Sequence, residues 1–409
     1  MTIALRSEAL KAGLLAATLL GGIAFSTAAD AQNRNCRNTG NFSRWLADFK
    51  AEAVSAGISS RTIASALNGL KFAPEIVRKD RRQGVFSQSF LQFSGRMVAQ
   101  NRLNIGRKKL RSLARTFAAI KKKYGVPGPV LAAFWGLETD FGANIGNEPT
   151  IRSIATLAFD CRRPELFRPQ LMDALRIIER GDLTARQMVG AWAGELGQTQ
   201  FMASEYFRRA VDFDGDGRVD LLRSAPDALA SSAALLASYG WRRGEPWVEE
   251  VRVPRDMNWA KADLGIKHPR SAWAKAGVFR ANGKPLARGN APAALLLPMG
   301  RNGPAFLAYR NFDIYLKWNQ SYTYALTAAY FATRLAGAPK VRKGNAAVQH
   351  LSGGQIKELQ RRLIGLGHDV GGADGTIGRK TRAAVKAVQL KLGLPADSYP
   401  TPKLLQALR

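Results

Sequence analysis

Apolar residues recur at three- and four-residue spacing through most of the chain, the period of a helix with one buried face. SRWLADFKAEAVSAGI (43–58) and SRTIASAL (60–67) each begin at a serine suited to cap a first turn, with apolar residues at helical spacing behind it. RKKLRSLARTFAAIKKKYG (107–125) carries an amphipathic stripe to a closing Gly125, and YTYALTAAYFATRLAG (322–337) is again helical. The texture changes over 246–312. PWVEEVRVP alternates like a strand, and the stretch after it is rich in Gly, Pro and short apolar runs such as ALLLP. The pattern therefore predicts a mainly α fold with a small β-containing insert. GAPKVRKGNAAVQH (337–350) is small, basic and without period, which marks a linker at 338–350. Beyond it, 351–409 predicts three short helices. The first sets Ile356, Leu359, Leu363 and Leu366 along one face, the second opens with Thr381 as its cap, and the third starts at Thr401 and Pro402.

The first residues have a different character. Arg6 and Lys11 lead into AGLLAATLLGGIAF (12–25), and ADA (29–31) supplies a small-x-small cleavage pattern. The apolar run is too short to span a bilayer well. Residues 1–31 are thus expected to be a signal peptide, cleaved after Ala31 to leave a soluble periplasmic protein with no integral membrane segment. Cys36 follows Asn-Arg-Asn, which is no lipidation setting. The 61 Lys and Arg against 31 Asp and Glu give a net charge of +30, and the expected cleavage removes two residues of each sign. That basicity is diffuse. It suits a solvated surface or steering toward an anionic polymer, and without a groove-reading motif it gives no case for nucleic acid. Two cysteines in an exported chain predict a Cys36–Cys161 bridge; with only three histidines, none near either cysteine, a metal is not expected there.

FWGLETDFG (134–142) places a carboxylate where the surroundings are core. Phe134, Trp135 and Phe141 lie four, three and three residues from Glu138, spacings that share one helix face. Pro127 and Pro129 announce the helix start and Gly142 suits its end, so Glu138 falls in the last turn. The partially negative helix end and desolvation by the rings both favour the protonated form, as a general acid requires. The alternative is a partly exposed helix-end glutamate with aromatics beneath it. Asp140, two residues on, points to another face and is no partner for a carboxylate pair. WAGELGQTQFMASEY (192–206) adds Gly194 and Gly197, which suit a bend approaching a ligand, with Gln198 and Gln200 as neutral donors and acceptors for hydroxyl and acetamido groups. DFDGDGRVD (212–220) matches the front of an EF-hand loop. Asp212, Asp214 and Asp216 hold positions 1, 3 and 5, Gly217 position 6, and Arg218 offers a carbonyl at 7. Position 12 is Arg223, so the bidentate closing Glu is missing. An ion-free Asp-Gly turn is the alternative to a structural Ca²⁺.

GLETDFG, AGELGQTQFMAS and VDFDGDGRVDL, in that order, resemble the membrane-bound lytic murein transglycosylase B family, whose truncated forms are the soluble lytic transglycosylases. The resemblance runs over most of 40–335. It implies a goose-lysozyme-like helical catalytic domain over 32–337, cleaving the β-1,4 bond between N-acetylmuramic acid and N-acetylglucosamine in peptidoglycan with Glu138 as the one catalytic acid. It further implies sugar contact by Gln200, a stem-peptide side lined by Arg162 and Arg163, and substrate binding by Trp318, Asn319 and Tyr324. It extends the calcium ligands to Asp227; Asp220, at position 9 of the loop, is placed to contribute directly or through water. The sequence departs from the family's pattern at Ala191, Ala203 and Leu235, which touches details of sugar binding. The Asp-Gly-Thr-Ile-Gly turn with Thr381 resembles the common peptidoglycan-binding module over 351–409, whose role would be to hold a monomeric enzyme on its insoluble substrate.

Glycoside hydrolysis ordinarily needs two carboxylates. With one, the resemblance implies a lyase: Glu138 protonates the glycosidic oxygen, then takes the proton of the muramic C6 hydroxyl as a 1,6-anhydro ring closes, and no organic cofactor is needed. The rivals are a muramidase using water, with Glu195 or Asp160 as second carboxylate, and a non-catalytic wall-binding scaffold.

Overall fold

The computed structural model describes residues 36–81 and 88–409, so the expected signal peptide lies outside the described residues. The described chain is mainly helical, as the spacing predicts, with a small sheet and a separate C-terminal three-helix unit. Boundaries shift where a better cap was available. The first helix runs Phe42–Ser55 and is capped by Asn41, whose side chain accepts from Arg44 N, not by Ser43. The second is capped by Ser59, whose side chain accepts from Thr62 N, not by Ser60. The expected single helix over 107–125 is two, Gln100–Ser112 and Ala114–Tyr124, broken at Leu113. Its end at left-handed Gly125 is as expected.

The part before residue 338 is mainly a stack of helices around one core. At its centre is Gly128–Thr139, buried all along its length. It lies against the returning helix Tyr322–Leu335, which is itself buried over most of its face. A helix apolar all round is one that is buried in a core, as this one is. The insert forms a five-stranded antiparallel sheet of order β4-β6-β7-β3-β5, with β3 Val248–Arg252, β4 Lys267–Pro269, β5 Phe279–Arg280, β6 Pro292–Leu296 and β7 Ala305–Ala308. A second core, including Trp259, Trp273 and Tyr309, fills one side of this sheet. A two-stranded ribbon joins β1 Glu148–Pro149 to β2 Val189–Gly190.

Residues 338–350 have no regular structure but are strapped to the insert. Asn345 N and Ala346 N donate to Asn302 O, Arg342 N to Glu250, and Asn345 Nδ2 to Val253 O. The C-terminal helices are Gly353–Gly365, Arg379–Lys391 and Pro402–Ala407. Ile356, Leu359 and Leu363 are buried as expected, but Leu366 is 55% exposed, because the helix ends before the stripe reaches it. Thr381 is not the cap. Gly378 holds that position, and the Thr381 hydroxyl is buried, donating to Thr376 O and accepting from Gln360 Nε2. This unit docks on the rest: Arg382 donates to the Leu297 and Pro298 carbonyls with its guanidinium over the Tyr322 ring, and Lys386 pairs with Asp263.

Candidate active site

Pro127 and Pro129 start the central helix where no intrahelical N–H donor is required, and Thr139 ends it. The chain then turns through three left-handed residues, Asp140 (φ 50°), Phe141 (φ 62°) and Gly142 (φ 86°). The helix thus stops sooner than a Gly142 end predicts, and Asp140 makes the turn, a conformation Asp tolerates better than most residues. Two bonds hold it there. The Thr139 hydroxyl donates to Gln198 O at 2.6 Å and accepts from Gly142 N at 2.9 Å. Asp140 faces outward to Arg102 at 2.6 Å, away from the acid.

Glu138 is 7% exposed. Its Oε1 accepts from Trp318 Nε1 at 2.9 Å and from the Tyr324 hydroxyl, while its buried Oε2 has no protein partner among the described residues. Burial pushes its carboxyl up to about 7, opposed by the Tyr324 and Trp318 hydrogen bonds and helped by the charge of Glu195. One oxygen is anchored and the other is free to exchange a proton. Trp318 is placed by stacking on Phe134 at 4.3 Å and by the edge of Phe201 at 5.9 Å. Phe134 therefore sits by the acid as its spacing predicts, whereas Trp135 and Phe141 pack on each other. The structure sets Trp318 and Tyr324 on the acid itself. Asn319 lies between them in the chain and accepts from Ser321 N at the start of the returning helix.

The glycine-rich turn approaches its own chain closely. A Cβ on Gly194 (φ 94°) would meet Ile154 Cγ1 at 2.3 Å, and one on Gly197 (φ 76°) would meet Leu221 O at 2.5 Å. Gln200, also left-handed, donates from Nε2 to the Ile145 and Gly197 carbonyls and remains half-buried. Gln198 donates to Leu222 O. Glu195 is 1% exposed, with neither carboxylate oxygen partnered among the described residues.

Asp160, Arg162 and Arg163 gather with Asn38, Asp80 and Arg81. Asp160 accepts from Asn38 Nδ2 and Arg81 Nη2, Arg162 pairs with buried Asp80 at 2.5 Å, and Arg163 pairs with the same Asp80. The expected bridge Cys36–Cys161 is present beside them. Asp160 is thus occupied in holding this corner. The acidic loop brings carboxylate oxygens of Asp212, Asp214 and Asp227 within 4.8 Å of one another. Asp216 falls outside that group and accepts from Arg218 N. Asp227, reached from the next helix, accepts from Phe213 N, Asp214 N and Asp220 N and so ties the loop down from below. Asp220 accepts from Leu222 N and Arg223 N. Three hard oxygen donors converging in an otherwise irregular loop fit a calcium ion.

The arrangement was only partly legible from sequence. Glu138 has a local signal. The Thr139–Gln198 clamp and the direct contacts of Trp318 and Tyr324 with the acid span from 59 to 186 residues, and no local pattern announces them.

Residues 41–333 match the transglycosylase SLT domain family, and 352–408 match a peptidoglycan binding domain family. Membrane-bound lytic murein transglycosylase B of Escherichia coli (strain K12) is 29% identical over 204 residues, 50% of this chain and 55% of that protein. The chain thus spans about half the length of that curated relative. The crystal structure of SltB3 from Pseudomonas aeruginosa in complex with NAG-anhNAM-pentapeptide superposes with a TM-score of 0.84 at 40% identity, covering 90% of this chain and 99% of that one. E. coli Slt35 in complex with calcium, at 24% identity and a TM-score of 0.60 over 71% of this chain and 92% of that one, shares the fold. No helix among the described residues is long and apolar enough to cross a membrane.

Proposed function

The chain belongs to the transglycosylase SLT domain family, and from that premise we propose that it is an exported, periplasmic lytic transglycosylase of peptidoglycan. It cleaves the β-1,4 bond between N-acetylmuramic acid and N-acetylglucosamine and leaves 1,6-anhydromuramic ends. The observation that carries this reading is Glu138, a buried carboxyl raised to about 7, anchored through Oε1 and free at Oε2. Such a group holds a proton near neutral pH and can also take one back.

In the first step Glu138 gives its proton to the glycosidic oxygen as the C1–O4 bond breaks, and the muramic N-acetyl group stabilises the cation at C1. In the second, the C6 oxygen bonds to C1 and its proton goes to Glu138, which is thereby reset. Water is not consumed. Trp318 and Tyr324 hold the carboxylate in place during both transfers. Gln200, Arg162, Arg163 and Asn319 are assigned to the sugar and stem-peptide surroundings. The engagement of Asp160 with Arg81 and Asn38 argues against it as a second carboxylate. The complex of SltB3 with an anhydromuramoyl peptide supports a lyase outcome.

The C-terminal unit binds the glycan and keeps the enzyme on the sacculus. We assign a structural Ca²⁺ to Asp212, Asp214 and Asp227, with Asp216, Asp220 and the Arg218 carbonyl around it; the ion would neutralise the loop and take no part in catalysis. The Cys36–Cys161 bridge fits an oxidising compartment. Mass spectrometry of sacculi digested by the full chain decides the reaction. Anhydro ends are expected; reducing muramic ends would make it a muramidase, and no release would make it a scaffold.

A further inference from the structure

The C-terminal unit is built into the catalytic part more deeply than an anchor requires. Tyr399, which belongs to that unit, is 5% exposed and packs within the main hydrophobic core. Beside it, the segment that leaves β6 is gripped by the same unit. Arg301 N donates to Asp397 at 3.0 Å, and a Cβ on Gly300 would fall 3.0 Å from both Asp397 Oδ2 and Tyr399 Cβ. Asp397 is itself held by Gln389 Nε2 at 2.9 Å. Arg382, in the first turn of Arg379–Lys391, completes the joint. It donates to Leu297 O at 3.3 Å and to Pro298 O at 2.6 Å, and its guanidinium lies 4.8 Å from the centre of the Tyr322 ring and 5.8 Å from that of Tyr399. Arginine suits such a place, because its planar cation stacks on rings and sheds water more readily than an ammonium.

Tyr322 is the first residue of the returning helix, and Tyr324, two residues on, sets its hydroxyl on Glu138. A helix's first turn is its least secure part, because its N–H groups lack intrahelical partners. Here the Tyr324 N–H is held by Ser321 Oγ at a long 3.3 Å, and Asn319, Gln320 and Ser321 before it lie outside any helix. Trp318 and Tyr324, the two groups that anchor Oε1 of the acid, therefore flank one short irregular bend. Tyr322, 8% exposed, is the side chain through which Arg382 reaches that bend. We infer that Arg382 is a positioning residue for the proposed reaction: seated on Tyr322, it fixes the first turn of the returning helix and with it the Tyr324 hydroxyl on Glu138. The inference rests on Glu138 being the acid. It gives the C-terminal unit a share in turnover besides holding the sacculus. Positioning of this kind counts, since a misplacement of about 1 Å around reacting groups can cost about a hundredfold in rate. Among the described residues Arg382 pairs with no carboxylate, so replacing it strands no acid and its effect can be read at the ring.

The assay measures kcat and KM of the full chain on soluble glycan strands. Arg382→Met should lower kcat about fivefold with little change in KM, a size typical of side chains in one contact network. Arg382→Lys keeps a cation at the ring and should recover part of the loss. In a Tyr324→Phe background Arg382→Met should cost nothing further, because the hydroxyl it steadies is gone. A kcat unchanged by Arg382→Met, a loss confined to KM, or the same loss with and without the Tyr324 hydroxyl overturns the inference. If Arg382→Met does not fold, Tyr322→Leu removes the contact from the other side and takes its place in the comparison, with the same expected and overturning results. Glu138→Gln is measured alongside. It is inactive if the acid is right, whichever way the Arg382 comparison falls. Retained turnover there marks failure of the proposed reaction itself and takes the inference with it.

Discussion

Replacing Glu138 by Gln should make the protein more stable, and only above a certain pH. In the fold the carboxyl is raised from its ordinary 4.5 to about 7. A carboxyl raised in this way favours the folded state below its unfolded value, and that advantage is lost as pH rises through the folded one. About 2.5 units at roughly 1.4 kcal/mol each come to about 3 kcal/mol between pH 4.5 and the plateau above 7. Gln keeps an Oε1 that can accept from both Trp318 and Tyr324, so the anchoring bonds survive. It has no charge to desolvate, and Glu195 is relieved of a like charge at the same time. Paired chemical-denaturation curves at about pH 4, 6 and 8 read the effect directly. The stability gain of Glu138→Gln should be near zero at the lowest pH and should approach about 3 kcal/mol at the highest. A gain that does not vary with pH, or a variant less stable than wild type at pH 8, would refute the account of the acid as a carboxyl held up by burial.

Tyr324→Phe removes a hydrogen bond that lowers the acid's proton affinity. The basic limb of its pH–rate profile should therefore move upward, with turnover reduced on the order of tenfold by lost positioning; a limb moving downward contradicts the assignment. Reducing Cys36–Cys161, which closes a separation of 125 residues, should cost about 3–5 kcal/mol by the loop-entropy estimate. Equal melting with and without reductant would show that the bridge adds no stability. Calcium should raise the melting point over that in chelator as free ion exceeds its dissociation constant. Asp214→Ala should abolish that rise, and a midpoint insensitive to calcium in wild type removes the ion from the loop.

Local chemistry determined a good deal of this protein. Helical period, caps such as Thr401, and the switch to alternation at 246–312 read directly as helices and insert, because those signals depend on neighbours a few residues apart. Glu138 was legible for the same reason: Phe134 is one helical turn away. The disulfide followed from a count of two cysteines. Where a local signal had a close competitor, tertiary packing chose. Asn41 displaced Ser43 as a cap, Leu113 broke one long helix into two, and Thr381 went into the core of its module in place of capping it. Only the folded chain decided what surrounds the acid. Trp318 and Tyr324 come to Glu138 from 180 and 186 residues away, and Gln198 comes to Thr139 from 59. It also decided that Glu195 is buried and that Asp160 lies beside Arg81. A carboxylate's sequence neighbours state its residue type, but its burial and its opposing charges are properties of chain segments far apart, and these determine its proton affinity.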